Sequence, residues 1–272
     1  MVFINTSGGG QRSALWTVNV MQAAEEKTGF SFMKHCHMIT GSSGGMLGAS
    51  YLRELYRRGN GEFLSDSVRR KISKDLLNPV VFSLVVNDLF VNFRKWEDKG
   101  HTYRMDRGFA FEQKLNNNLS GVLDQRLGDY YADEKNSRIP MMILSPSLVN
   151  EARRLLISPL PLSFLTVYQT RMDLRSPKDY DGVELRRMFA AHQPDNLRFT
   201  TALRMSATFP YITPLVSLPS SPKIKLIDAG VRDNTGFELS FRYLFFFREW
   251  IEQNTSGVVF VQINSDRVHN LP

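Results

Sequence analysis

His35-Cys36-His37-Met38-Ile39-Thr40-Gly41-Ser42-Ser43-Gly44-Gly45-Met46-Leu47-Gly48-Ala49-Ser50-Tyr51 is the stretch on which the fold turns. His35 to Thr40 reads as a strand and Gly41 to Gly45 as a tight turn. Met46 to Arg58 reads as a helix, because Leu47, Tyr51 and Leu55 recur at helical spacing. The pair Arg57-Arg58 closes that helix, where the macrodipole favours positive charge. Upstream the same order occurs once before. Val2-Phe3-Ile4 reads as a short buried strand, Ser7 to Gly10 as a loop, and about Ser13 to Glu26 as a helix. Two successive strand–turn–helix units predict an α/β fold with a mainly parallel central sheet flanked by helices.

Working outward, Glu62 to Arg138 is polar and helix-leaning, punctuated by Asn, Asp and Gly, and reads as a helical insertion or cap over the sheet. Met141–Leu144, Lys225–Ile227 and Val258–Ile263 read as further strands, and Phe237 to Glu252 as a helix. No linker or low-complexity segment interrupts the chain, so residues 1–272 are expected to form a single domain. Two apolar runs stand out: Pro79–Phe93 and Phe241-Arg242-Tyr243-Leu244-Phe245-Phe246-Phe247. Buried core helices are the expected account of both, with docking surfaces as the competing one.

Composition narrows the class. A chain of 272 residues with 42% hydrophobic and 22% charged residues buries a core without a disulfide or metal staple. Cys36, the single cysteine, excludes an internal disulfide and a Cys-based zinc site, fits a reducing compartment, and reads as a buried structural thiol. Lys and Arg number 34 against 27 Asp and Glu, a net charge of +7, which favours anionic partners such as a phospholipid surface, nucleic acid or an acidic substrate. The basic residues are scattered in short pairs such as Arg69-Arg70 and Arg153-Arg154, without an Arg-rich helix or aromatic-studded strand, so no nucleic-acid partner is expected. His35 and His37 alternate on the strand, but no third ligand cluster accompanies them, and no metal or other cofactor is expected.

No secretory pattern precedes Val2, and Pro79–Phe93 is broken by Asn87 and Asp88 and too short to span a bilayer. The expectation is a cytoplasmic or peripheral membrane protein. A strand at residue 2 and a strand-like run near the end read as a piece of something longer.

Three segments carry chemistry. Gly41-Ser42-Ser43-Gly44-Gly45 matches G-x-S-x-G between a predicted strand and a predicted helix, with Gly41 and Gly45 flanking Ser43. That context aims a serine hydroxyl at the carboxyl edge of a sheet and sets a helix amino terminus behind it. Ser42 is the neighbouring competitor, but the frame centres on Ser43. In Ser7-Gly8-Gly9-Gly10-Gln11-Arg12, backbone N–H groups can approach a ligand oxygen closely. The loop lacks the G-K-[ST] ending and the G-x-G-x-x-G spacing of nucleotide loops. It therefore reads as an oxyanion hole formed by Gly8, Gly9 and Gly10, with Arg12 bracing the loop or its ligand. Asp228 ends the short strand before Ala229-Gly230 and can accept the serine proton, whereas Asp233 reads as a turn or cap residue beside Asn234 and Thr235. An alternative is an α/β-hydrolase triad, since Ser43, Asp228 and His269 occur in that order.

Together these segments resemble the patatin-like phospholipases. Ser7–Arg12 is similar to their oxyanion motif, Gly41–Gly45 to their nucleophile elbow, and Asp228-Ala229-Gly230 to their D-G-[GA] segment. Ser206-Ala207-Thr208-Phe209-Pro210, ahead of Pro214, resembles the S-A-x-x-P stretch before the aspartate. Ser7 stands where many members have aspartate, Ser13 where a glycine often follows the arginine, and Ala229 where glycine is more usual. The resemblance implies a three-layer α/β/α fold and a Ser43–Asp228 dyad without a catalytic histidine. It also implies hydrolysis of acyl esters in phospholipids or related lipids, and the basic surface permits peripheral contact with an anionic membrane. A catalytically silent lipid-binding scaffold is the reading from a different class.

Overall fold

β1 (Val2–Thr6) leads through the glycine loop into α1 (Gly10–Lys27). A single turn, α2 (Phe32–His35), precedes β2 (Cys36–Gly41), and α3 (Ser43–Arg58) follows it. The last residues of α3 are capped by Gly59, whose left-handed φ of 62° turns its N–H onto the Leu55 and Tyr56 carbonyls. The computed structural model describes residues 1–59, 61–88, 94–167, 180–209, 212–218 and 223–266.

The middle segment is mainly helical, as expected: α4 (Asp66–Ile72) and α5 (Asn78–Ser83) come first, the latter continued by a π turn over Leu84–Asp88. A hairpin of β3 (Lys95–Asp98) and β4 (His101–Arg104) is added to it, followed by α6 (Arg107–Asn118) and α7 (Tyr131–Lys135). Beyond it come β5 (Met141–Leu144), β6 (Ser147–Leu148), β7 (Arg154–Leu156) and β8 (Gly182–Glu184). Then follow α8 (Leu185–Met188), α9 (Phe199–Ser206), β9 (Val216–Ser217), β10 (Lys225–Ile227), α10 (Phe237–Phe246), α11 (Arg248–Asn254) and β11 (Val259–Ile263).

The central sheet has the order β11-β1-β2-β5, with every pair parallel. Period-two alternation along its strands builds two cores. Ile4, Ile39, Met142 and Leu144 belong to the core that holds Ala14, Val18 and Met21 of α1 and Leu47, Tyr51 and Leu55 of α3. Phe3, Met38, Met141 and Ile143 belong to the opposite core with Leu239 of α10. Each such Leu, Ile or Met, fully buried, stabilises the fold by about 1.5–3 kcal/mol. Helices cover both faces, the condition a parallel sheet requires.

A second sheet, β8-β7-β6-β10-β9, mixes parallel and antiparallel pairs. The predicted strand Lys225–Ile227 belongs to it, antiparallel to β6 and β9, rather than to the parallel sheet. His35 lies in α2 and only His37 on the strand, where its Nε2 is hydrogen-bonded to the Tyr243 hydroxyl at 2.8 Å. The two histidines therefore do not share a strand face. Cys36 is buried, and burial pushes its thiol pKa up, as befits a structural residue.

The helix expected over Phe237–Glu252 divides at Phe247. Phe246 and Phe247 both pack on the Phe164 ring, which consecutive residues on one helix face do not do. The expectation of buried core helices fails for much of the two apolar runs. Val81, Phe82, Val85 and Val86 are 47–66% exposed, while Val80 and Ser83 are buried. Phe241, Phe245 and Phe246 are likewise exposed. Residues 89–93 of the first run lie outside the described residues. Among the described residues no helix is long and apolar enough to cross a membrane.

Candidate active site

The carboxyl ends of β1, β2 and β11 meet at one edge of the parallel sheet, the edge where α/β sheets place their ligands. The Ser7 N–H donates to the Ile263 carbonyl at 2.9 Å, which fixes the start of the glycine loop. β2 ends at Gly41, whose φ of 153° is a glycine conformation and whose missing Cβ would stand 2.2 Å from the Thr6 carbonyl oxygen. Ser42 is extended, and Ser43 opens α3 with φ at 47°. That left-handed backbone strains a serine and holds its side chain on a sharp turn. The loop and the elbow touch at Gly44, where a Cβ would fall 1.8 Å from the Gly10 carbonyl oxygen, and Gly45 continues the first turn of α3. The amino terminus of this 16-residue helix favours negative charge at Ser43.

The two serines of the elbow differ in what they bind. Ser42 is fully buried, and its hydroxyl is shared between the Asn234 carbonyl at 2.8 Å and Asn234 Oδ1 at 2.9 Å. Ser43 is half-buried, and its hydroxyl stands near enough to Asp228 to favour that acid's charged form.

Asp228 follows β10 and caps a 3₁₀ turn over Ala229–Val231. Its Oδ1 accepts the Gly230 N–H at 2.8 Å, and its own N–H donates to the Thr208 carbonyl at 3.1 Å. The residue is 5% exposed, and Oδ2 has no hydrogen-bond partner among the described residues. Burial raises the Asp228 pKa above the ordinary carboxylate value, and the Gly230 N–H and Ser43 hydroxyl only partly offset this. An acid of this kind is a better base than a solvated carboxylate. The Ser206–Pro210 stretch supplies the Thr208 acceptor, and its Pro210 lies outside the described residues.

The glycine loop is held from both sides. The Ser13 hydroxyl donates to the Ser7 carbonyl at 2.5 Å, and the Ser265 hydroxyl donates to the Gly8 carbonyl at 3.0 Å. The Gly8 N–H is engaged by Asn234. Gly9 and Gly10 are exposed, and among the described residues no hydrogen bond takes up their N–H groups. Arg12 points outward to Asp266, with Nη2 to Oδ1 at 3.2 Å and both side chains largely in solvent. It makes no bond to the loop. His269 lies outside the described residues.

Asn234 is the site residue that sequence reading passed over as part of a turn; its position six residues after Asp228 was the only available signal. Asp233 is a turn residue, as expected: Oδ1 accepts the Thr235 and Gly236 N–H groups, and Oδ2 pairs with Arg154 Nη1 at 3.1 Å. Buried Arg154 also pairs with Asp181 and Glu238, and Arg242 joins both acids. Burial works against the Asp181 charge, yet Arg242, Arg154 and Arg232 together hold its pKa below the usual value. This network braces the segment that carries Asp228 and Asn234.

The carboxyl edge of the covered parallel sheet thus brings a serine at positive φ and a buried acid together. The family model for patatin-like phospholipases matches residues 6–240, and the chain belongs to that family. Among solved structures it is similar to human GIVD cytosolic phospholipase A2 in complex with methyl gamma-linolenyl fluorophosphonate. That match is 16% identical, with a TM-score of 0.49, over 89% of this chain and 38% of that one. The same human protein with that inhibitor and terbium chloride matches at 18% identity and TM-score 0.41, over 89% and 38%. A further structure of it matches at 14% and 0.40, over 89% and 44%. The chain thus spans less than half the length of these structures. Among curated proteins no relative is found.

Proposed function

We propose that the chain is a serine lipid acyl hydrolase in which Ser43 is the nucleophile and Asp228 the base. The observation that carries this reading is the buried, partner-poor Oδ2 of Asp228 beside a serine held at positive φ. Ser43 attacks the ester carbonyl carbon while its proton passes to Asp228. The oxyanion is met by the open N–H groups of Gly9 and Gly10, with Gly8 serving to anchor their loop. Collapse of the tetrahedral intermediate expels the alcohol, which takes the proton back from Asp228 and leaves acyl-Ser43. Water then attacks the acyl group, again deprotonated by Asp228, and free acid and serine are restored.

Family membership and the exposed apolar surface favour phospholipids or related acylated lipids as substrates. Gln11 Nε2 donates to the carbonyls of Ile72 and Lys74, which ties the rim of the glycine loop to the segment leading into α5. α5 begins at Asn78, four residues beyond Lys74. Its exposed apolar residues, on a chain with a net charge of +7, suit contact with an anionic lipid surface.

The test is a panel of lipid and short-chain esters on wild type and Ser43→Ala, with fluorophosphonate labelling of both. Labelling of wild type that disappears in Ser43→Ala is expected. A folded wild-type chain that neither labels nor hydrolyses any ester would leave only the lipid-binding scaffold.

A further inference from the structure

A cavity of about 850 Å³ lies between the β3–β4 hairpin, the start of α6, one side of α9 and residues 214–218. No residue of the glycine loop or the elbow lines it, and neither does Asp228. Five cationic side chains face it, Lys95, Arg104, Arg107, Arg204 and Lys223, against a single carboxylate, Asp106. The remaining wall is largely apolar, with Met205, Leu215, Val216 and Leu218.

Arg204 is the centre of this arrangement. It is 6% exposed, and its Nε donates to Glu112 Oε1. Among the described residues its Nη1 has no hydrogen-bond partner, and it forms an ion pair with Asp106 Oδ1 at 3.6 Å. That oxygen already accepts the Gly108 and Phe109 N–H groups, at 2.9 and 3.1 Å, as the cap of α6. A wall that carries five cationic residues and one carboxylate, with an arginine fork held rigidly by Glu112, suits an oxyanion. Arginine's planar fork matches phosphate in particular, and the apolar wall adds room for a hydrocarbon.

We propose that this cavity binds the phosphate group of an anionic ligand at Arg204, Arg104 and Lys223, apart from the reacting centre. The proposal does not depend on the chain being an acyl hydrolase, and it is tested where no turnover can occur. Arg204 itself is a poor choice for substitution, since its loss strands buried Glu112. Arg104 and Lys223 are exposed at the rim and can be changed without touching the core.

The experiment is isothermal titration calorimetry on the whole chain carrying Ser43→Ala, with and without Arg104→Gln and Lys223→Gln together. The probes are dihexanoyl phosphatidate below its micellar concentration and inorganic phosphate. Binding of at least one probe is expected, weakened about tenfold or more by the double substitution in a chain of unchanged circular dichroism, and weakened by salt. Tighter binding of the phosphatidate identifies a lipid headgroup as the ligand, and equal affinity identifies free phosphate. Absence of binding by both probes overturns the proposal. Equal affinity with and without the double substitution does the same.

Discussion

The Gly8 N–H donates to Asn234 twice over, to the carbonyl oxygen and to Oδ1, each at 3.1 Å. The Ser42 hydroxyl reaches the same two oxygens, so one residue ties the glycine loop and the elbow to the Asp228 segment. Asn234→Ala removes Oδ1 and leaves the carbonyl. The expected cost is about 1–2 kcal/mol of stability by urea denaturation. A fall of at least about tenfold in kcat/KM on a short ester should accompany it, because the Gly9 and Gly10 amides lose their fixed position. Unchanged kcat/KM would remove Asn234 from the site.

Ser42 and Ser43 should separate cleanly. Ser43→Gly relieves the strain of a positive φ and is expected to raise stability by about 0.5–1 kcal/mol while abolishing turnover and fluorophosphonate labelling. Ser42→Ala strips a buried bond pair from Asn234, and is expected to lower stability yet retain labelling at Ser43. Mass spectrometry of the labelled peptide checks both.

The base must be ionised to take a proton. Since burial raises the Asp228 pKa, the acid limb of the kcat/KM profile should lie above the range of an ordinary carboxylate. The stability effect has the opposite sense. The folded chain holds this proton more tightly than the unfolded chain, so the stabilisation is complete below the unfolded pKa. It is lost as pH rises through the folded pKa. Asp228→Asn, uncharged throughout, should therefore be inactive but more stable than wild type near about pH 8, with the difference vanishing toward about pH 4. Thermal melts across pH that show no such convergence would contradict the assignment.

Dyad and triad differ in one substitution. His269→Ala is expected to leave kcat within about twofold of wild type, whereas a triad histidine is worth several orders of magnitude. Steady-state rates on a soluble ester decide between them.

The exposed apolar face of α5 and of the π turn that continues it is expected to serve lipid contact rather than chemistry. Phe82→Ser together with Val86→Ser should reduce sedimentation with anionic vesicles several-fold while hydrolysis of a short soluble ester stays within about twofold. Undiminished vesicle binding would move the contact surface elsewhere.

The parallel core was legible because its strands announce themselves. Val2–Ile4 and His35–Thr40 are short runs followed by glycines and then helical periodicity, and Met141–Leu144 is a short apolar run ended by Ser145-Pro146, signals that lie within a few residues of each other. The second sheet was not legible. β6 and β9 have two residues each, too few for any period, and they exist only because their partners pack beside them. The same limit hid the exposure of Phe82 and Phe241. Helical spacing of apolar residues shows that a face exists, and only packing shows whether anything covers it.

By itself the sequence determined the strand–turn–helix around Ser43, the glycine loop before it and the place of Asp228 after a short strand, since each rests on local backbone and residue type. The tertiary structure alone decided that the Ser42 hydroxyl is spent on Asn234, 192 residues away, and that the Gly8 amide is taken up by the same residue, 226 away. It alone turned Arg12 outward and gathered Lys95, Arg104, Arg204 and Lys223 around one cavity. Turns and strands follow from short-range sterics written in neighbouring residues. Which polar atoms remain unpaired depends on which distant segments packing brings within 3 Å, and that is a property of the folded chain.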